Sequence, residues 1–149
     1  MNTIHITENK KKVAFVVHPD KKSELVEWSY FNKNLLEQHE IIASGEAANI
    51  LEGTLHIPIV TYLTSSYEGY SELNNMIEEG KVDAIILFWN NEDETPLQRN
   101  GIRELIHNAL EADIIIANNK VTADFIITSP LMDTDNSNDE PALKKSNAA

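Results

Sequence analysis

Two short segments of the sequence carry side chains that could hold an anion, and His18 and Lys22 form the first. His18 directly follows an apolar run, and Lys22 lies about one helical turn further along. The lysine would supply a mobile positive charge and the histidine a hydrogen-bond donor, so the two could face one anionic ligand. The alternative is a capping loop, in which Asp20 begins a helix and the lysines are solvated. The spacing leaves both interpretations open.

The second segment is Ser44-Gly45-Glu46-Ala47, which stands where an apolar run gives way to a helical pattern. Gly45 would allow close approach to the backbone, and amides at a helix N-terminus carry partial positive charge. Glu46 conflicts with this chemistry, because a carboxylate repels a phosphate in a low-dielectric pocket. Either Glu46 points outward and stabilises the helix terminus, or the pocket receives a ligand whose hydroxyl groups donate to it.

Five apolar runs rich in β-branched residues must position these segments. They are nearly continuous in apolar residues, as strands covered on both faces require. The runs cover residues 13–17, 41–44, 57–63, 82–88 and 113–117. Segments with helical spacing alternate with them, so we predict one doubly wound α/β domain with a five-stranded, mainly parallel sheet. Ligands of such folds bind outside the carboxyl ends of the strands.

The helical spacing also predicts which side chains face the core. Ile102, Leu105, Ile106 and Leu110 form one predicted face, and Phe125, Ile126 and Ile127 are predicted to be core residues of the last helix. Residues 92–94, Glu-Asp-Glu, are predicted to form a solvated acidic loop. Residues 1–132 are predicted to form the domain, and residues 133–149 a loosely held, acidic and polar C-terminal tail.

Composition excludes several classes of partner. The 149 residues include 24 acidic and 12 basic ones, a net charge of −12. This balance argues against nucleic acid polymers and anionic membranes as partners. The chain has no cysteine and its histidines lack ligand spacing, so we predict no metal site and no cofactor. No apolar run could span a bilayer and the N-terminus lacks a signal-peptide core, so we expect a cytoplasmic protein.

Three collinear segments of the chain resemble methylglyoxal synthase and the wider domain family named after it. They are LLEQHEIIASG at residues 35–45, EGKVDAIILFW at 79–89 and TADFIITSP at 122–130. The resemblance extends from about Lys12 to Pro130 and implies the same α/β fold. It also implies a homo-oligomer, with a hexamer favoured, and sites near subunit contacts. The implied reaction removes phosphate from dihydroxyacetone phosphate after a carboxylate takes a carbon-bound proton.

The resemblance assigns ligand-binding roles to residues of several loops. The family's histidine and phosphate-binding lysine fall on His18 and Lys22, and its loop Thr-Gly-Thr-Thr falls on the segment from Ser44 to Ala47. A serine and glycine that follow the third strand fall on Thr64 and Ser65. The predicted binding set is therefore His18, Lys22, Ser44, Gly45, Glu46, Ala47, Thr64, Ser65, Tyr70 and Asn90.

The family's proton-transfer positions carry other residue types in this chain. The aspartate after the histidine falls on Pro19, and the aspartate of Gly-Gly-Asp, the favoured base, falls on Tyr70. The aspartate of Trp-Asp falls on Asn90, while a catalytic histidine and a further aspartate fall on Leu97 and Asn100. A phenol and neutral amides do not simply inherit the proton transfers of carboxylates at neutral pH.

From these residues we predict binding without catalysis, in which the protein senses or sequesters a small phosphorylated or nucleotide-like ligand. One alternative is a working methylglyoxal synthase that uses Glu68 or Asp20 as a displaced base, with the retained His18 as a further candidate catalytic residue. A further alternative is a structural or protein-interaction module, in which His18 and Lys22 need no ligand. The binding interpretation rests on an analogy, since related domains serve as nucleotide-binding modules of a larger enzyme.

Overall fold

The computed structural model describes residues 10–55, 61–63 and 67–133, apart from the side chains of residues 44, 61–63 and 67–69. Its strands are β1 (Lys12–Val17), β2 (Glu40–Ser44), β3 (Thr61–Leu63), β4 (Ala84–Phe88) and β5 (Ile115–Ala117). Its helices are α1 (Lys22–Phe31), α2 (Lys33–Leu36), α3 (Gly45–Leu55), α4 (Tyr67–Glu78), α5 (Pro96–Glu111) and α6 (Lys120–Thr128). Two 3-10 turns cover Pro19–Lys21 and Pro130–Asp133. The predicted tail from residue 134 onward, and residues 57–60 of the predicted third strand, lie outside the described residues.

The strands form one parallel sheet in the order β3-β2-β1-β4-β5. In the centre, Val13 of β1 pairs with Ile41 of β2 on one side and Ala84 of β4 on the other. Within the described part of the chain the sheet has five strands, and each of their pairings is parallel. This confirms the predicted doubly wound architecture. The chain builds outward from β1 to β3 and then returns to add β4, so the order reverses between β1 and β4.

Helices cover both faces of the sheet, which explains the continuous apolar strands. Phe15 of β1 and Phe88 of β4 face the layer of α1, α3 and α6, where their rings lie 6.1 and 5.5 Å from that of Trp28. The other face, beginning with Ala14 and Ile85, packs against α4 and α5. Trp28 Nε1 also donates to Asp124 at 2.7 Å, which ties α1 to α6.

Two predicted core residues lie on the surface instead. Phe125 is 75% exposed and Leu110 is 67% exposed. On α6 the buried residues are Ala123 and Ile127, and Phe125 lies halfway between them, about 200° around the helix. On α5 the inward face ends at Ala109, and the next residue turns outward. The prediction that Phe125 and Leu110 belong to the core is therefore wrong. Across residues 10–55, 61–63 and 67–133, no helix has both the length and the apolar character to cross a membrane.

At the amino end of the sheet, His39 is buried and its Nδ1 accepts a hydrogen bond from the backbone N–H of Lys11 at 3.1 Å. Burial lowers the pKa of His39 below its ordinary value of 6.5. Lys11 and Lys10 lower the pKa further, whereas Asp133 and Asp83 oppose the shift. The folded protein therefore favours the neutral imidazole.

We predict that His39 makes the protein less stable in mild acid. Because its pKa is lower in the folded state, the unfolded chain binds more protons, so stability is lost as pH falls below about 6.5. His39→Asn keeps an acceptor for the Lys11 amide but does not titrate. It should therefore make the free energy of unfolding less dependent on pH in this range. Urea unfolding across pH 5 to 7.5 measures the effect. His107→Asn, on the exposed side of α5, is the control; equal slopes for both variants would contradict the prediction.

Candidate functional site

The carboxyl ends of β1 and β4 meet where the strand order reverses, and His18 joins them. It directly follows β1, and its backbone N–H donates to the carbonyl of Phe88, the last residue of β4, at 2.7 Å. Trp89 and Asn90 continue from β4 at the same edge. In doubly wound sheets this reversal opens a crevice that serves as the ligand site.

The His18 ring is 3% exposed and both of its nitrogens are hydrogen-bonded within the protein. Nδ1 accepts from the backbone N–H of Asp20 at 3.0 Å, and Nε2 lies 2.6 Å from the carbonyl oxygen of Asp93. Because Nδ1 accepts, Nε2 must carry the proton and donate it, so this arrangement uses a neutral imidazole. The edge of Trp89 packs against the ring, with centroids 4.9 Å apart. His18 therefore holds the loop after β1 to the loop after β4.

Asp20 presents a carboxylate at the same edge. Pro19 begins the 3-10 turn, which places Asp20 back over the His18 ring, with Oδ2 lying 3.9 Å from Nδ1. Asn90 Nδ2 donates to the same oxygen at 3.2 Å, and Asn90 Oδ1 accepts from the backbone N–H of Glu92 at 3.0 Å. The Asp20 side chain remains 49% exposed. The carboxylate is therefore both oriented and accessible.

The buried side chain of Glu94 stabilises the loop between β4 and α5. Its carboxylate accepts from Trp89 Nε1 at 2.6 Å and from Arg99 Nε at 3.3 Å, and its side chain is 8% exposed. The predicted solvated acidic loop is thus wrong for Glu94, because these two donors replace its contacts with water. The loop ends in a capping box of Thr95 and Gln98, whose side chains each accept from the other's backbone N–H.

These elements border an open cleft of about 280 Å³ at the carboxyl end of the sheet. Its lining residues are His18, Pro19, Asp20, Asp93, Glu94, Thr95 and Gln98. Ligand atoms of His18, Asp20 and Asp93 lie within 4.8 Å of one another, a spacing that a metal ion could bridge. A metal would have to displace one of the hydrogen bonds of the His18 ring. Sequence reasoning missed the contributions of Asp93, Thr95 and Gln98, although the Thr-Pro-Leu-Gln capping signature was readable.

Lys22 and Glu46 meet at the carboxyl end of the same sheet. Lys22 begins α1 and Glu46 lies in the first turn of α3, and the two side chains form an ion pair. Gly45 enters α3 with a positive φ of 42°, whereas Ala47 points into the core. The structure thus brings together His18, Asp20 and Asn90 at one point and Lys22 and Glu46 at another on the same sheet edge. Ser44 ends β2.

Comparison with known proteins identifies the family. No protein-family model matches the sequence. The chain is 34% identical to a methylglyoxal synthase of Pseudoalteromonas atlantica over 122 residues, which cover 82% of this chain and 90% of that protein. The chain belongs to the methylglyoxal synthase family. A methylglyoxal synthase of Coxiella burnetii is also 34% identical, over 125 residues that cover 84% of this chain and 87% of that one.

A solved structure agrees with this assignment. The methylglyoxal synthase from Elizabethkingia anophelis NUHP1 matches this fold with a TM-score of 0.75 and 28% identity, covering 85% of this chain and 82% of that one. Sequence and structure therefore confirm the resemblance stated from the three collinear segments.

The position that the methylglyoxal synthase resemblance assigns to the general base is Tyr70, on α4. Its ring packs against Gly101 of α5, so closely that a β-carbon on Gly101 would lie 2.5 Å from Cδ2 and 2.7 Å from Cε2. Tyr70 therefore takes part in the contact between α4 and α5. Of the other predicted residues, Thr64 and Ser65 lie outside the described residues, as do the side chains of Ser44 and Glu68.

We predict that Gly101→Ala destabilises the protein although alanine is the better helix former. The added methyl group would collide with the Tyr70 ring, and overpacking of this kind costs about 1–3 kcal/mol. Gly53→Ala in α3 is the matched control, since a β-carbon added at Gly53 would meet no atom within 4 Å. That variant should gain up to about 1 kcal/mol from helix propensity. Chemical denaturation compares the two; stabilisation by Gly101→Ala would refute the packing argument.

Proposed function

We propose that the protein is a methylglyoxal synthase-type lyase that eliminates phosphate from a small phosphorylated compound, with dihydroxyacetone phosphate as the first candidate. The observation that carries this proposal is the Asp20 carboxylate, which lines the cleft beside His18 and is oriented by Asn90. The names of the relatives support the same reaction type. The cleft at the strand-order reversal is also where folds of this kind bind ligands.

In this proposal Asp20 is the proton acceptor. A carboxylate within hydrogen-bond reach can take a proton from the hydroxymethyl carbon, and the electron pair then forms an enediolate. Asp20 returns to the ionised state when it passes that proton to the substrate's carbonyl oxygen. The resulting enediol expels phosphate together with the bonding pair of the C–O bond, and the hydroxyl group on the former hydroxymethyl carbon passes its proton to the departing phosphate. The enol that remains tautomerises to methylglyoxal, gaining a proton at carbon and losing one from oxygen.

Other residues bind and orient the substrate. Lys22 supplies the positive charge for the phosphate, and the backbone amides at the start of α3, from Gly45 to Ala47, lie at the same sheet edge. His18 positions Asp20 through the hydrogen bond from the Asp20 amide to Nδ1. Ser44, Thr64 and Ser65 complete the proposed binding set by resemblance.

A second candidate function is binding without turnover, and the Lys22–Glu46 ion pair favours it. Glu46 already neutralises the cation that a phosphate would need, and it could instead accept hydrogen bonds from the sugar hydroxyls of a nucleotide-like ligand. Tyr70, at the position that the resemblance assigns to the base, would then serve binding. The protein would sense or sequester its ligand.

We predict that Asp20→Asn lowers kcat for dihydroxyacetone phosphate by about a hundredfold or more, with a smaller effect on KM, because an amide cannot accept the proton. A phosphate-release assay measures the rate. Asp113→Asn is the matched control, since Asp113 precedes β5 at the opposite edge and asparagine tolerates its positive φ of 60°.

Calorimetry with dihydroxyacetone phosphate separates the two candidates. Binding by the wild type without phosphate release would replace the lyase proposal by binding without turnover. If the wild type neither binds dihydroxyacetone phosphate nor releases phosphate from it, both proposals are contradicted.

We also propose that the chain forms a homo-oligomer, with a hexamer favoured, as the resemblance implies. Exposed apolar side chains such as Phe31, 81% exposed, and Phe125, 75% exposed, are available for contact between copies. Light scattering at micromolar concentration is expected to report a mass several times the 16.8 kDa of one chain. A monomer under these conditions would contradict the proposal.

A further inference from the structure

We infer that Glu46 determines which anions this site accepts. Its carboxylate holds the ion-pairing position on Lys22 that the phosphate of a ligand would need. An incoming phosphate must therefore displace Glu46 or bind beside a negative charge. The consequence is selection against bare phosphate and in favour of phosphate esters whose hydroxyl groups can donate to Glu46. The inference deepens the proposed function and rests on it in one respect, that a phosphate reaches Lys22.

The positions of the two residues follow from the sheet. β1 and β2 are neighbouring parallel strands, so the segments that leave their carboxyl ends start at the same edge. Lys22 begins the helix after β1, and Glu46 lies in the first turn of the helix after β2. The two helices also pack on each other, with Ser29 Oγ 2.8 Å from Thr54 Oγ1. The backbone thus brings the two charges together at the sheet edge.

The pair is open to solvent, which makes a purely structural role weak. The Lys22 side chain is 41% exposed and that of Glu46 is 60% exposed. Ion pairs in water contribute little to stability, and salt screens them. Removing the Glu46 charge should therefore leave the fold intact while changing what Lys22 can bind.

The charged groups near Lys22 add to the effect of Glu46 on an incoming anion. The neighbouring Lys21 is itself paired with Glu24 at 3.3 Å. Asp20, two residues before Lys22 in the chain, adds a carboxylate that lines the cleft. Both lysines thus have a carboxylate partner, and Asp20 leaves this part of the sheet edge with more negative than positive charge before a ligand arrives. A compact dianion meets repulsion here, whereas a hydroxyl group that donates to Glu46 does not.

The first test measures the binding of inorganic phosphate by calorimetry on the full chain. Glu46→Gln should tighten phosphate binding by about tenfold, the factor that ~1.4 kcal/mol of relieved repulsion gives. Glu79→Gln is the matched control, because Glu79 is 57% exposed and pairs with Lys81 at 3.2 Å. It removes the same charge elsewhere and should change the affinity by less than about twofold. Thermal unfolding verifies that both variants fold.

The second test concerns selectivity and uses glycerol 3-phosphate, an ester with two hydroxyl groups and no carbonyl to react. The wild type should prefer this ester to inorganic phosphate, and Glu46→Gln should reduce that preference. Lys22→Ala should weaken both probes. Equal shifts in Glu46→Gln and Glu79→Gln would show that overall charge accounts for the effect and would overturn the inference. Weaker or undetectable phosphate binding by Glu46→Gln would also overturn it.

These outcomes are separate from those that test the lyase proposal. Tighter phosphate binding by Glu46→Gln in a protein that does not turn over dihydroxyacetone phosphate would sink the lyase proposal and leave this inference standing. Turnover by the wild type together with an unchanged phosphate affinity in Glu46→Gln would support the lyase proposal and overturn this inference.

Discussion

The buried imidazole of His18 is the interaction on which the arrangement of the site depends. The strand order reverses between β1 and β4, so the segments after these strands diverge to opposite faces of the sheet. The ring accepts from the Asp20 amide with one nitrogen and donates to the Asp93 carbonyl with the other. Without the ring, two polar backbone groups at this edge would lose their partner. The cleft, the orientation of Asp20 and the course of the loop between β4 and α5 all follow from this bridge.

Glu94 stabilises the loop between β4 and α5 through a second set of contacts. A carboxylate that is almost fully buried needs hydrogen-bond donors to replace water, and the Trp89 indole and the Arg99 guanidinium provide them. The Trp89 ring also packs against His18. The loop from β4 to α5 is therefore attached to the site through His18 and to α5 through Glu94. Such attachment holds Asn90 where its side chain donates to the Asp20 carboxylate and orients it.

The negative charge of the protein opposes the binding of the anionic ligand that is proposed for the site. The chain carries a net charge of −12, so an anionic ligand gains no long-range attraction from the protein as a whole. In the proposed function, the binding of an anion therefore depends on short-range contacts, chiefly those with Lys22 and with the amides at the start of α3. In the inference drawn from the Lys22–Glu46 ion pair, Glu46 weakens the contact with phosphate and offers an acceptor for hydroxyl groups. In the proposed function, weak binding of phosphate would suit a reaction that releases phosphate as a product.

The sequence by itself determined the fold and predicted the end of the sheet at which the candidate site lies. Continuous apolar runs are possible only for strands covered on both faces, and the helical segments between them required a parallel sheet with the site at its carboxyl edge. The collinear segments identified the family, and the Thr95–Gln98 capping box was readable because it depends on residues three apart. Each of these features follows from local spacing or from the order of elements along the chain.

Only the tertiary structure decided which side chains meet. The pairing of Lys22 with Glu46 and the packing of Tyr70 on Gly101 depend on the angles at which separate helices cross the sheet. The burial of Glu94 depends on donors from Trp89 and Arg99 that a loop conformation brings together. Phe125 is exposed because the packing of α6 buries Ala123 and Ile127 instead. Periodicity gives the faces of a helix, but the packing of that helix against the sheet determines which face is buried.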